Sequence, residues 1–89
     1  MRVSYSPQFN VNRVTYSVSG EVITATIGNA SDAFDLSVLK PGDRVTDAET
    51  TLPVNPLVSA ERQADGTLDV MLLYTYGHGE PNHRDAEVL

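Results

Sequence analysis

Residues 67–76 read TLDVMLLYTY, and this stretch constrains the fold more than any other. Successive residues of an extended chain point to opposite faces. Leu68, Val70, Leu72, Tyr74 and Tyr76 therefore share one face, while Met71 and Leu73 lie on the other. A half-wet edge strand alternates apolar with polar residues. A strand apolar on both faces belongs at the centre of a sheet, covered on both sides.

Just upstream, LVSAERQ (57–63) is joined to this strand through Ala64-Asp65-Gly66. Asp-Gly between alternating runs is a strong hairpin signal. A two-residue Asp65-Gly66 loop sets Ala64 opposite Thr67, Arg62 opposite Asp69, Ala60 opposite Met71 and Val58 opposite Leu73. Opposed residues share a face, so this register predicts a cross-strand ion pair between Arg62 and Asp69.

The cover for residues 67–76 comes from further upstream or from a second subunit. VTYSVS (14–19) sets Val14, Tyr16 and Val18 against Thr15, Ser17 and Ser19. VITATI (22–27) sets Ile23, Ala25 and Ile27 against Val22, Thr24 and Thr26. Gly20 between them predicts a type II′ or I′ hairpin turn. GNASD (28–32) reads as a second turn, and AFDLSVL (33–39) as a third strand with Phe34, Leu36 and Val38 together. DLSVL also fits a short helical turn. KPGD (40–43) stops the meander, and residues 46–56, with Pro53 and Pro56, read as an irregular crossing.

These readings predict a mainly β protein: a small antiparallel, sandwich-like domain of about five strands, a meander over 14–39 plus a hairpin over 57–76. Residues 1–89 form one domain, with an extended N-terminal segment over 1–13 and an irregular polar tail over 77–89. A chain this short buries roughly 60% of its unfolded surface, so the core is thin.

Twelve acids against six scattered bases give a net charge of −6. Duplex binding without sequence preference needs clustered Lys and Arg to displace counterions, so no nucleic-acid partner is expected. No stretch approaches the ~20 apolar residues that span a bilayer. The chain has no cysteine, which excludes disulfides, thiolate metal sites and cysteine nucleophiles. Together with an N-terminus lacking an apolar signal-like run, this predicts an intracellular site.

Both histidines lie in HGEPNHRD (78–85). His78, Glu80, His83 and Asp85 are chemically sound zinc ligands. The spacing fits no catalytic pattern: a zincin helix needs H-E-x-x-H, and Gly79 and Pro81 oppose a helix. His78-Gly79-Glu80 matches the H-x-E of nucleoside deaminases, but their cysteine pair is missing. The stretch reads as a solvated, mobile tail. Neither G-x-S-x-G nor a glycine-rich phosphate loop occurs, so no catalytic residue and no cofactor is assigned. Tyr5, Tyr16, Tyr74 and Tyr76 lack basic neighbours and read as core or core-rim packing.

Several stretches resemble a group of small prophage-encoded proteins from the tail-morphogenesis region: SYSPQ (4–8), VTYSVSGEVITATI (14–27), DAFDLS (32–37), ETTLPVNPLVSAER (49–62) and the hairpin strand at 65–73. The likeness covers residues 4–73. Members of that group end in an acidic stretch with a tryptophan, where this chain has HGEPNHRDAEVL and none. The resemblance implies a tail-associated structural or assembly protein without catalysis, in the host cytoplasm during assembly or in the virion. Its partners would be other tail proteins and copies of itself. The alternatives are a binding module or assembly chaperone for another tail protein and, third, a metal-binding protein or metal-dependent hydrolase built on residues 78–85.

Overall fold

A computed structural model describes residues 1–89. In chain order the strands are β1 (Arg2–Phe9), β2 (Val14–Ser19), β3 (Val22–Ile27), β4 (Ala30–Asp35), β5 (Arg44–Val45), β6 (Leu57–Arg62), β7 (Leu68–Tyr76) and β8 (Glu87–Val88), with a 3-10 turn at Leu36–Val38. They form a five-stranded sheet, β5-β6-β7-β1-β8, and a three-stranded sheet, β2-β3-β4. The mainly β, two-layer reading is correct, and β7 is the central strand.

The meander folds over β7 as the second layer. Ile23, Ala25 and Ile27 of β3, with Phe34, Leu36 and Leu39, pack against Val3, Leu57, Ala60, Leu68, Val70 and Leu72. Both meander turns are two-residue loops led by glycine, Gly20 at φ 60° and Gly28 at φ 58°, with no positive φ at the following residue. That is the type II′ geometry, in which only the first loop residue needs a left-handed backbone.

Several expectations need correction. The N-terminal segment is extended, as read, but it belongs to the β core. Residues 2–9 form β1, parallel to β7 from Arg2↔Asp69 to Phe9↔Tyr76. All other strand pairs are antiparallel, so the larger sheet is mixed. Eight strands exist where five were expected, the additions being β1 and the two-residue β5 and β8.

The hairpin register is shifted by one residue. Gln63 N–H donates to Thr67 O (2.8 Å) and Gly66 N–H to Gln63 O (2.9 Å), leaving a three-residue loop, Ala64-Asp65-Gly66, with Gly66 at φ 91°. This is a turn closed by a left-handed glycine, and Asp65 steadies it by accepting from Thr67 N–H (2.9 Å). The pairs are Arg62↔Leu68, Glu61↔Asp69, Ala60↔Val70 and Ser59↔Met71. A one-residue slip exchanges faces along a whole strand, so Arg62 and Asp69 do not meet. A bulge between Leu57 and Ser59 then returns Leu57 to the core opposite Leu72.

The third meander strand begins at Ala30 and stops at Asp35, so the preceding turn shrinks to Gly28-Asn29. Asp35 Oδ1 accepts from Ser37 N–H (3.0 Å) and caps the 3-10 turn, the helical alternative for DLSVL. Leu36 remains in the core, but Val38 is 70% exposed.

Finally, β7 is covered on both faces only towards its C-terminal end. There Leu73 and Thr75 are buried where β2 reaches the strand, with Tyr16 Oη donating to Leu73 O (2.5 Å) and Val14 N–H to Thr75 Oγ1 (3.0 Å). Met71, on the same face, stays 37% exposed.

Candidate functional site

His78, Glu80, His83 and Asp85 do not converge, and no group of three His, Asp or Glu side chains anywhere could hold a metal ion. His78 lies edge-on to Phe9, with ring centroids 5.3 Å apart. Glu80 Oε1 accepts from Arg13 Nε (2.7 Å) and from Gly77 N–H (2.6 Å). His83 and Asp85 are highly exposed, 3.9 Å apart.

The tail is a strap. Pro81 O accepts from Tyr74 Oη (2.9 Å), the Arg84 guanidinium lies 4.2 Å over the Tyr5 ring, and Glu87 accepts from Tyr5 Oη (2.6 Å). Residues 87–88 then pair with Val3 and Arg2, and Leu89 N–H bonds to Met1 O. Burial, reinforced by the bond to Glu87, pushes the Tyr5 hydroxyl up to about 12. Tyr5 and Tyr16 rim the core, as read; Tyr74 and Tyr76 stack on each other instead, Tyr5 does have a basic neighbour in Arg84, and Tyr5 and Tyr74 fasten the tail. Arg13 adds a third fastening at its start. A Cβ on Gly77 would collide with the Arg13 guanidinium, so glycine is what lets that arginine lie against the strap.

The one-residue register shift carries Arg62 to the core side, where its side chain is 12% exposed. Its five N–H groups each have an acceptor. Nε donates to Leu39 O (2.5 Å), Nη1 to Glu21 Oε2 (3.1 Å) and Gly66 O (2.8 Å), and Nη2 to Glu21 Oε1 (2.9 Å) and Leu36 O (3.2 Å). The forked geometry of guanidinium matches a carboxylate with two parallel bonds. The Arg62 hydrogen bonds hold the Glu21 carboxyl below the usual carboxylate range, and Glu21 in turn raises the arginine. One side chain thus ties the β2–β3 turn, the 3-10 turn and the β6–β7 loop together. Its role is structural: every donor is already used.

The open surface lies on the other face of the larger sheet. There a groove of about 600 Å³ runs over Ser59 of β6, Met71 of β7 and Ser4 of β1, between Arg44 and Glu61 on one side and β8 on the other. Asp69, set opposite Glu61, is compensated by Arg2 Nε (2.6 Å) and Nη2 (3.0 Å) and by Gln63 Nε2 (2.8 Å). Arg44 and Glu61 face each other across β5 and β6, yet no ion pair joins them. The groove therefore offers a free cation, a free anion and a polarizable thioether side by side. Sequence reasoning placed none of these residues at a site. Arg44 enters through a two-residue strand without any periodic signal, and Arg2 and Ser4 through parallel pairing with a strand more than sixty residues away.

The chain matches no protein-family model, no curated protein and no solved structure. No helix is long and apolar enough to cross a membrane.

Proposed function

We propose that this chain is a tail-associated structural or assembly protein of a phage or prophage, acting through protein–protein contacts and not through catalysis. The observation that carries the mode of action is the groove over Ser4, Ser59 and Met71. Methionine is adaptable at contact surfaces, and the unpaired Arg44 and Glu61 are available to a partner's charges. The resemblance of residues 4–73 to small prophage tail-region proteins supplies the setting. A groove that receives another tail protein fits both a permanent component and a chaperone that leaves before the particle is complete.

Quantitative mass spectrometry of purified particles, beside the assembly lysate, tests this reading. Stoichiometric presence in particles supports a structural component. Binding to a tail protein in the lysate, with absence from particles, supports the chaperone. Absence from both would overturn the assignment.

A further inference from the structure

The smaller sheet has two edges. The β4 edge is guarded by charge: it carries Asp32 and Asp35, and the Asp32 carboxylate accepts from Thr50 Oγ1 (2.8 Å) and Thr51 N–H (3.4 Å) of the crossing segment. The β2 edge has no such guard. A two-residue loop makes Ser19–Val22 a hydrogen-bonded pair, so Ser17–Thr24 and Thr15–Thr26 are hydrogen-bonded too. Val14, Tyr16 and Val18 therefore aim their backbone groups away from β3. Val14 N–H is taken by Thr75 Oγ1, and no backbone bond outside the sheets involves Tyr16 or Val18.

Natural proteins guard such edges with Lys, Pro, bulges or very short strands. On the larger sheet the edge strands β5 and β8 are two residues each, and the rest of β1's outer edge is interrupted by Pro7. β2, VTYSVS, is six residues with no charge, no proline and no bulge. An edge left unguarded in this way is a pairing surface.

We infer that β2 pairs antiparallel with β2 of a second copy, about a two-fold axis through Ser17. Two features select this occupant and register. Outward-bonding residues must meet outward-bonding residues, which allows Tyr16 opposite Tyr16 or Tyr16 opposite Val18; Val18 opposite Val18 would set Tyr16 against Gly20 in the β2–β3 turn and leave two bonds only. The first needs Val14 N–H, already engaged. The second completes four backbone bonds between Tyr16 and Val18 of the two copies. It also sets Tyr16 against Val18 on the core side and Thr15 against Ser19 on the outer side, like with like. The result is an isologous contact that joins the two three-stranded sheets into one of six strands. It lies away from the groove and deepens the contact reading with a defined self-association surface; its failure leaves the groove untouched.

A strand-edge contact of this size is small and therefore weak, so dimer formation rises with concentration. Sedimentation velocity over a concentration series is the test, on wild type, Ser17→Lys and Ser17→Glu. Ser17 is exposed, and melting temperature confirms that both variants fold. The expected result is a dimer for wild type, monomers for each variant alone, and a heterodimer in their mixture at least roughly tenfold tighter than either variant with itself. Amide exchange on wild type needs no variant: the Tyr16 and Val18 amides slow as concentration rises. A monomer at every concentration, a dimer that survives Ser17→Lys, or Tyr16 and Val18 amides that stay fast would overturn the inference.

Discussion

Val3→Ala isolates the feature of the fold that the sequence hides best. Val3 is 1% exposed and faces Val70 across the parallel β1–β7 pair. The substitution removes two buried carbons' worth of apolar surface, about 1.6 kcal/mol at about 0.8 per buried methylene. A cavity term adds to this where neighbours cannot collapse, giving a loss of about 2–3 kcal/mol. For a domain of this size 1 kcal/mol shifts the melting temperature by about 4–8 °C, so the expected drop is about 8–24 °C. The control is the same chemistry at Val11, which is 87% exposed, where the expected change is within about 0.5 kcal/mol. Thermal unfolding by circular dichroism with matched urea melts is the assay. Equal, small shifts for the two variants would refute β1 as a core strand and return residues 1–13 to an extended segment outside the core.

The register predicts which charges couple. In double-mutant cycles read by urea denaturation, Arg62 and Glu21 couple, whereas Arg62 and Asp69 are additive; coupling between Arg62 and Asp69 would restore the two-residue loop. Glu21, Asp35 and Asp65 are all held below their ordinary values, the first by Arg62, the others chiefly by hydrogen bonds from Ser37 and Thr67. Depressed carboxyls contribute stability above their unfolded values that is lost as pH falls through the folded ones, so an acid titration shows a falling urea midpoint below about pH 4. Tyr5 and Tyr16 are raised, mainly by burial, Tyr5 to about 12. Their contribution is whole below the ordinary tyrosine value of 10.0 and lost as pH rises through the folded values; tyrosinate absorbance and circular dichroism should therefore report delayed ionisation and alkaline unfolding together. Zinc or a chelator leaves the melting temperature unchanged, and a zinc-dependent rise abolished by His78→Ala with His83→Ala would show a site that the separated side chains do not form.

Periodicity made the meander legible because β3 is buried on one face and alternates Ile23, Ala25, Ile27 with threonine and valine. The doubly apolar β7 announced its central place. β1 was hidden for a physical reason. Parallel pairing leaves no local turn to read, and SYSPQF spreads Tyr5 and Phe9 among serines and a proline, because part of its inner face is covered by the strap and not by the second sheet. The hairpin was found but misregistered: Asp-Gly serves both a two-residue loop and a three-residue loop closed by a left-handed glycine, and the backbone bonds that select the longer loop leave no mark in the composition. The tail carries no periodicity because single side chains, Tyr5, Tyr74 and Arg13, and a two-residue backbone pairing at its end hold it down. The groove was illegible for the same reason as β1, since its residues meet only through strand pairings distant in sequence.

Native mass spectrometry of the untagged chain, co-expressed with the proteins encoded beside it, tests most directly whether this molecule works by its surfaces. The account predicts a metal-free complex with a neighbouring tail protein. Met71→Glu in the groove removes that complex and leaves the chain folded. A mass increment of one zinc per chain, lost with His78 and His83, or the absence of any complex, would contradict it.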